Sequence, residues 1–162
     1  MNRALTAPPV RAAAAVRPAK GTVVVTTGAS DSHTWNLVFL QLLIEELGYH
    51  VVNLGPCVPD ELVVSRCAEI RPEMIVFSSV NGHGCQDGLR VIKRLRETPE
   101  LAGTPAVIGG KLGTTGSEGS SYSQELTAAG FDAVFEDGAD PFTAFPSLLN
   151  GLLGTAPREL AT

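Results

Sequence analysis

Cysteine and charge are both scarce in this sequence. Its three cysteines, Cys57, Cys67 and Cys85, form no C-x-x-C pair. That argues against a disulfide framework and a zinc ribbon, and fits a reducing cytosol. Charged residues make up 18% of the 162 positions, and Asp and Glu outnumber Lys and Arg by 17 to 12. A net charge of −5 leaves no basic footprint for nucleic acid or for an anionic membrane surface. No apolar run reaches the ~20 residues that span a bilayer. Also missing are the G-x-x-x-x-G-K-[ST] phosphate loop, a G-x-G-x-x-G after the first apolar run, and a G-x-S-x-G elbow. These absences disfavour P-loop, dinucleotide and nucleophile-elbow chemistry.

What remains is 44% hydrophobic, enough for one domain with a sizeable core. Residues 1–20 are rich in Ala, Pro and Arg, lack the apolar segment of a secretory signal, and read as a flexible leader. The folded unit is expected over 21–153, with a frayed tail over 154–162.

Within that unit short apolar runs alternate with helix-like stretches. Thr22–Thr27, His50–Leu54, Glu73–Ser79, Pro105–Gly110 and Asp132–Glu136 read as strands. Helices are predicted over Trp35–Leu47, Asp60–Ile70, Gln86–Glu97, Ser121–Ala129 and Pro141–Leu153, the first stopped by Gly48 and the fourth by Gly130. In the third helix Leu89, Val91, Ile92 and Leu95 form the apolar face, opposite Arg90, Lys93, Arg94 and Arg96. Trp35 and Phe39, four apart on the first helix, are expected as core contacts, although Trp35 sits close enough to the loop to flank a ligand. The fold class is α/β: a Rossmann-like or flavodoxin-like doubly wound five-stranded parallel sheet, order 2-1-3-4-5, with helices on both faces.

Such a sheet binds ligands beyond the carboxyl ends of its strands, where the strand order reverses. Here that point lies between the first and third strands. The loops that meet there are Gly28–Thr34, reading GASDSHT, and Val80–Cys85, reading VNGHGC.

His33 follows Asp31 by two positions, so the carboxylate can reach the imidazole directly. A carboxylate bonded to one ring nitrogen sets the tautomer and makes the other a better ligand. The plainer reading is that Asp31 or Ser32 caps the first helix and His33 is an exposed loop residue. Ser78 and Ser79 end an apolar strand, where a hydroxyl can meet a ligand or satisfy a loop carbonyl. Gly109 and Gly110 permit close approach by a flat ligand, or simply a tight turn. His83 and Cys85, with His33 and Asp31, make a small metal site conceivable, although the spacing matches no zinc pattern. His50 opens a strand and reads as a packed or edge histidine. The first strand, TVVVTT, lacks the acidic residues of a response-regulator receiver, and the third ends in serine where a receiver has its phosphorylated aspartate.

Taken together, Asp31-Ser32-His33, Ser78-Ser79-Val80 and Gly109-Gly110 resemble the D-x-H-x-x-G, S-x-L and G-G elements of cobalamin-binding domains of the methionine synthase and mutase type. The stretches GYHVVNLG at Gly48–Gly55 and SSVNGHG at Ser78–Gly84 are most similar to the small (sigma) subunit of glutamate mutase, also called methylaspartate mutase. The resemblance implies adenosylcobalamin as cofactor, with its dimethylbenzimidazole base displaced from cobalt. His33 would be the axial cobalt ligand and Asp31 would orient it. Ser30, Ser32, Thr34, Asn36, Val80 and Gly82 would join the cofactor site. Ser78 would meet the base or its linker, and Gly109 and Gly110 would leave room for the nucleotide tail, threaded between the first strand and its neighbour. Catalytic residues beyond the cobalt ligand are not expected on this chain. A larger (β/α)8-barrel subunit would carry the substrate and complete a carbon-skeleton isomerase in the cytoplasm. Only about 20 residues precede the first strand, too few for the helical domain of methyl carriers. Two positions depart from the pattern: Asn36 stands where the pattern has glycine, and Val80 where it has leucine. A corrinoid carrier, a cobalamin-dependent regulatory module, and a flavodoxin-like fold without cobalamin are the other readings.

Overall fold

The computed structural model of the protein describes residues 20–114, 119–136, 138 and 140–154. Of the expected leader only Lys20, and of the expected tail only Gly154, falls inside these residues. The elements run β1 (Thr22–Thr26), α1 (Trp35–Glu46), β2 (His50–Asn53), α2 (Asp60–Ile70), β3 (Met74–Ser79), α3 (Gly84–Glu97), β4 (Ala106–Gly110), α4 (Gly119–Ala129), β5 (Ala133–Glu136) and α5 (Pro141–Leu153). All strand pairs are parallel and the order is β2-β1-β3-β4-β5, as the alternation implied. No described helix is long and apolar enough to cross a membrane.

Burial explains the composition of the strands. The central β3 (MIVFSS) is buried at every position, as a parallel strand covered on both faces must be. The edge strands β2 and β5 are short and partly exposed. Two cores result. One joins Ile75, Phe77 and Ile108 to Val63 and Cys67 of α2, Val91, Ile92 and Leu95 of α3, and Leu126 of α4. The other joins Val23, Val25, Val76 and Val107 to Leu37 and Ile44 of α1 and Phe145 and Leu149 of α5.

Some boundaries shift. The third helix begins at Gly84, two residues before the expected Gln86, and Leu89 lies only at the margin of its core. Trp35 does not join the core: it is 64% exposed. The buried seam of α1 is Asn36, Leu37, Leu43 and Ile44, which turns Trp35, Val38 and Leu42 outward. Phe39 behaves as expected in packing against the core, and meets Phe142 edge-to-face with ring centroids 5.4 Å apart.

Candidate functional site

At the switch point the β1–α1 and β3–α3 loops are tied together by one carboxylate. Asp31 is 1% exposed. Its Oδ1 accepts the backbone N–H of His33 at 3.1 Å and faces His33 Nδ1 at 2.7 Å. Its Oδ2 accepts the backbone N–H groups of Val80 at 2.7 Å and Asn81 at 3.3 Å. Burial pushes the Asp31 carboxyl up, but the bonds from Val80, His33 and Asn81 together outweigh it and hold the group below its ordinary value. An ionised carboxylate only accepts, so Nδ1 of His33 donates to it, which leaves Nε2 as the ring nitrogen facing away from Asp31. His33 itself is exposed. Of the plainer reading, the exposed His33 holds but the cap fails: Thr34 is the N-cap residue, with no side-chain cap, and the Asp31 carboxylate is shared between His33 and the other loop.

Around this pair, Ser30 donates its hydroxyl to Asp87 Oδ2 at 2.7 Å, and Asn81 Nδ2 donates to the Ser30 carbonyl at 3.1 Å and lies 3.0 Å from its hydroxyl. Arg90 holds Asp87 and Asp60 at 2.8 and 3.1 Å. Gly28 lets the first loop pass this network, because a Cβ there would stand 2.2 Å from Asp87 Oδ2. Asn81 and Asp87 are site residues the sequence reasoning missed. The only signal was their position, Asn81 inside the VNGHGC loop and Asp87 in the first turn of α3. Gly82, predicted for the site, is buried with φ +87° and turns the loop toward α3. Ser32 and Thr34 are exposed on the first loop.

Below the loops lies a cavity of about 410 Å³, over β3 and β4 and between α1 and α5. Its floor follows from register. Ser78 pairs with Gly109, and Gly109 with Phe135. Ser78 and Phe135 point to the α1/α5 side of the sheet, and Gly109 between them adds no side chain to the floor. Phe39, Leu40, Val76, Val107 and Phe145 supply apolar walls, and Trp35 stands at the rim. Val80 and Gly110 also line it. Gly110 answers a second demand, for its φ is +97° and a Cβ would fall 2.0 Å from the Ser79 carbonyl oxygen. The cavity thus sits one strand beyond β1, where the gap between α1 and α5 leaves the sheet uncovered.

Asn36 is 5% exposed and lines this cavity. Its Nδ2 donates to Ser78 Oγ at 2.7 Å, while its Oδ1 is buried without a partner among the described residues. Thr27 Oγ1 is the other such atom among them, and Thr27 does not line the cavity.

The remaining candidates stand apart. His83 is the N-cap residue of α3, its N–H bonded to Asn81 Oδ1 at 2.9 Å. Cys85 packs in the core, its thiol 3.9 Å from Glu125 and pushed up by burial and that carboxylate. No group of three or more potential metal-binding side chains forms among the described residues. His50 is an exposed edge residue of β2.

A buried carboxylate thus orients an exposed imidazole at the switch point, beside an apolar-walled cavity over β3 and β4. The model of the B12 binding domain matches residues 21–145. Glutamate mutase sigma subunit 2 of Haloarcula marismortui is 30% identical over 141 residues, which span 87% of this chain and 93% of that one. Among solved structures, a cobalamin-binding protein from Desulfitobacterium hafniense aligns with a TM-score of 0.56 and 23% identity, over 70% of this chain and 51% of that one. A receiver domain of a histidine kinase from Syntrophus aciditrophicus aligns with a TM-score of 0.64 and 17% identity, over 88% of this chain and 97% of that one. At such identities both likenesses speak for the shared flavodoxin-like fold alone. The match over most of the chain decides the family: the protein belongs to the B12-binding domain family and is homologous to glutamate mutase sigma subunits.

Proposed function

We propose that this chain is the small, adenosylcobalamin-binding subunit of a carbon-skeleton mutase that interconverts L-glutamate and 3-methylaspartate. The observation that carries the reading is the Asp31–His33 pair, with Oδ1 and Nδ1 2.7 Å apart and the ring exposed at the strand end. In this reading His33 Nε2 would hold the cobalt of the corrinoid. The residues fit a corrinoid on two further counts. The cavity beneath is apolar-walled and large enough for a flat base, and Asn36 Oδ1 awaits a donor there. Support for the sigma-subunit assignment comes from relatives so named that match over most of their own length.

The cofactor, when bound, supplies homolysis of its cobalt–carbon bond. The chain's own residues orient and enclose. Asp31 holds the His33 ring and keeps its proton on Nδ1, which raises the basicity of Nε2. Ser78 offers a hydroxyl, and Gly109 adds no side chain where a nucleotide tail would lie. Substrate contacts belong to a larger partner subunit with a (β/α)8 barrel, which closes over the cofactor. The folded unit is taken as residues 21–153.

The test is an ultraviolet–visible titration with adenosylcobalamin, beside a His33→Ala variant. Electron paramagnetic resonance of the cob(II)alamin form should show a protein nitrogen ligand in the wild type and none in the variant. Added glutamate mutase large subunit should then give cobalamin-dependent formation of 3-methylaspartate. A nitrogen signal unchanged in the variant would remove His33 from the site.

A further inference from the structure

We infer that Asn36 is an acceptor for a hydrogen-bond donor on the nucleotide tail of the bound corrinoid, so that this chain selects tailed corrinoids over tail-less ones. The inference rests on the cobalamin-binding reading above and adds to it a residue that the family's sequence pattern lacks.

The first observation is an imbalance. Asn36 is 5% exposed, and its amide nitrogen is spent on Ser78 Oγ at 2.7 Å. Its Oδ1 has no partner among the described residues, although the side chain lines the cavity. Buried acceptors left unpaired are costly and uncommon. Turning the amide over would leave the two N–H donors of Nδ2 facing apolar walls, a rarer arrangement than an unpaired oxygen.

The second observation is the cavity. The apolar side chains that line it, among them Phe39, Val76, Val107, Phe135 and Phe145, cannot donate to Oδ1, and the donor-bearing ones, Trp35, Ser78, Ser79 and Lys111, make no bond to it. A ligand that fills this space also excludes water. It must bring its own donor or leave Oδ1 unpaired.

The chemistry of the tail names the donor. A benzimidazole joined to ribose through one ring nitrogen has a lone pair on the other and no N–H. The ring can therefore accept from a hydroxyl such as that of Ser78, but cannot satisfy Asn36. Ribose hydroxyls can. Asn36 and Ser78, locked together, thus present an acceptor and a donor side by side to a nucleotide that carries the complement. A corrinoid without the nucleotide lacks both the ribose and the base.

The test uses the full chain and its single tryptophan, Trp35, which stands at the cavity rim and reports binding by quenching. Wild type and Asn36→Ala are titrated with aquacobalamin and with diaquacobinamide, which lacks the nucleotide. Loss of one buried hydrogen bond should weaken aquacobalamin binding by about tenfold. Cobinamide binding should stay within about twofold, which also shows that the variant is folded. An equal loss for both corrinoids would overturn the inference, since Asn36 would then support the fold or the ring. So would unchanged binding of both, or tighter aquacobalamin binding, which would make the side chain an obstruction. Aquacobalamin bound by the wild type with His33 nitrogen ligation, and equally well by Asn36→Ala, would overturn this inference alone. Failure of the wild type to bind either corrinoid would overturn the cobalamin reading together with it.

Discussion

Asp31 Oδ2 accepts the Val80 N–H at 2.7 Å across 49 residues of sequence, and so joins the two loops that meet at the switch point. The same carboxylate holds His33, so the ring's position depends on β3 as well as β1.

Asp31→Asn should therefore act on both loops. The carboxylate accepts from four N–H donors, two at each oxygen. An amide must point its NH2 at one of those donor pairs. The expected loss is ~2–3 kcal/mol of stability, the range for a buried bond to a charged group that is left unmade. Urea unfolding of the two proteins measures it, and an unchanged midpoint would show that the two loops hold their positions without this carboxylate.

Acid should weaken the fold through the same residue. The Asp31 carboxyl is held below its ordinary value in the folded chain. The folded state thus binds its proton less readily than the unfolded state. The stabilisation is complete above the unfolded value and is lost as pH falls through the lower folded one. The melting temperature of the wild type should drop more steeply than that of Asp31→Asn below ~pH 4, the ordinary aspartate range. Parallel curves down to the acid limit would contradict this.

The two adjacent glycines of β4 should differ sharply. At Gly110 a Cβ would fall 2.0 Å from backbone oxygen, at φ +97°. At Gly109 the nearest contacts would be 3.2 and 3.3 Å, to Phe135. Gly110→Ala should cost about 3 kcal/mol or more, and Gly109→Ala about 1–2 kcal/mol. Thermal melts rank them. Gly109→Ala should also narrow the cavity and weaken aquacobalamin binding, read by Trp35 quenching.

Thiol labelling of the native chain should be selective. Cys57 is exposed, whereas Cys67 is fully buried with its thiol pushed up to about 12. Cys85 is buried and its thiol is also raised. An aromatic disulfide reagent near neutral pH should titrate Cys57 rapidly and the other two only on unfolding. Fast release of three equivalents from the folded protein would count against the core described above.

The alternation of apolar runs with helical stretches determined the sheet order, because parallel strands need helical crossovers and five such units wind from a single reversal. It also marked the switch point as the place to expect a ligand, and the D-x-H spacing placed a carboxylate within reach of an imidazole. Other features depended on contacts between distant segments, which local pattern does not encode. The sequence left open whether Asp31 caps a helix or bonds His33; in the fold it bonds His33 and, because β3 docks beside β1, the other loop as well. The outward turn of Trp35 was set by which seam of an almost wholly apolar α1 meets the sheet. The roles of Asn81 and Asp87 arise only where two loops touch. Asn36 read as a departure from a pattern within the expected cofactor site. Only the fold set it against Ser78, 42 residues away, with its oxygen unpaired at a cavity wall.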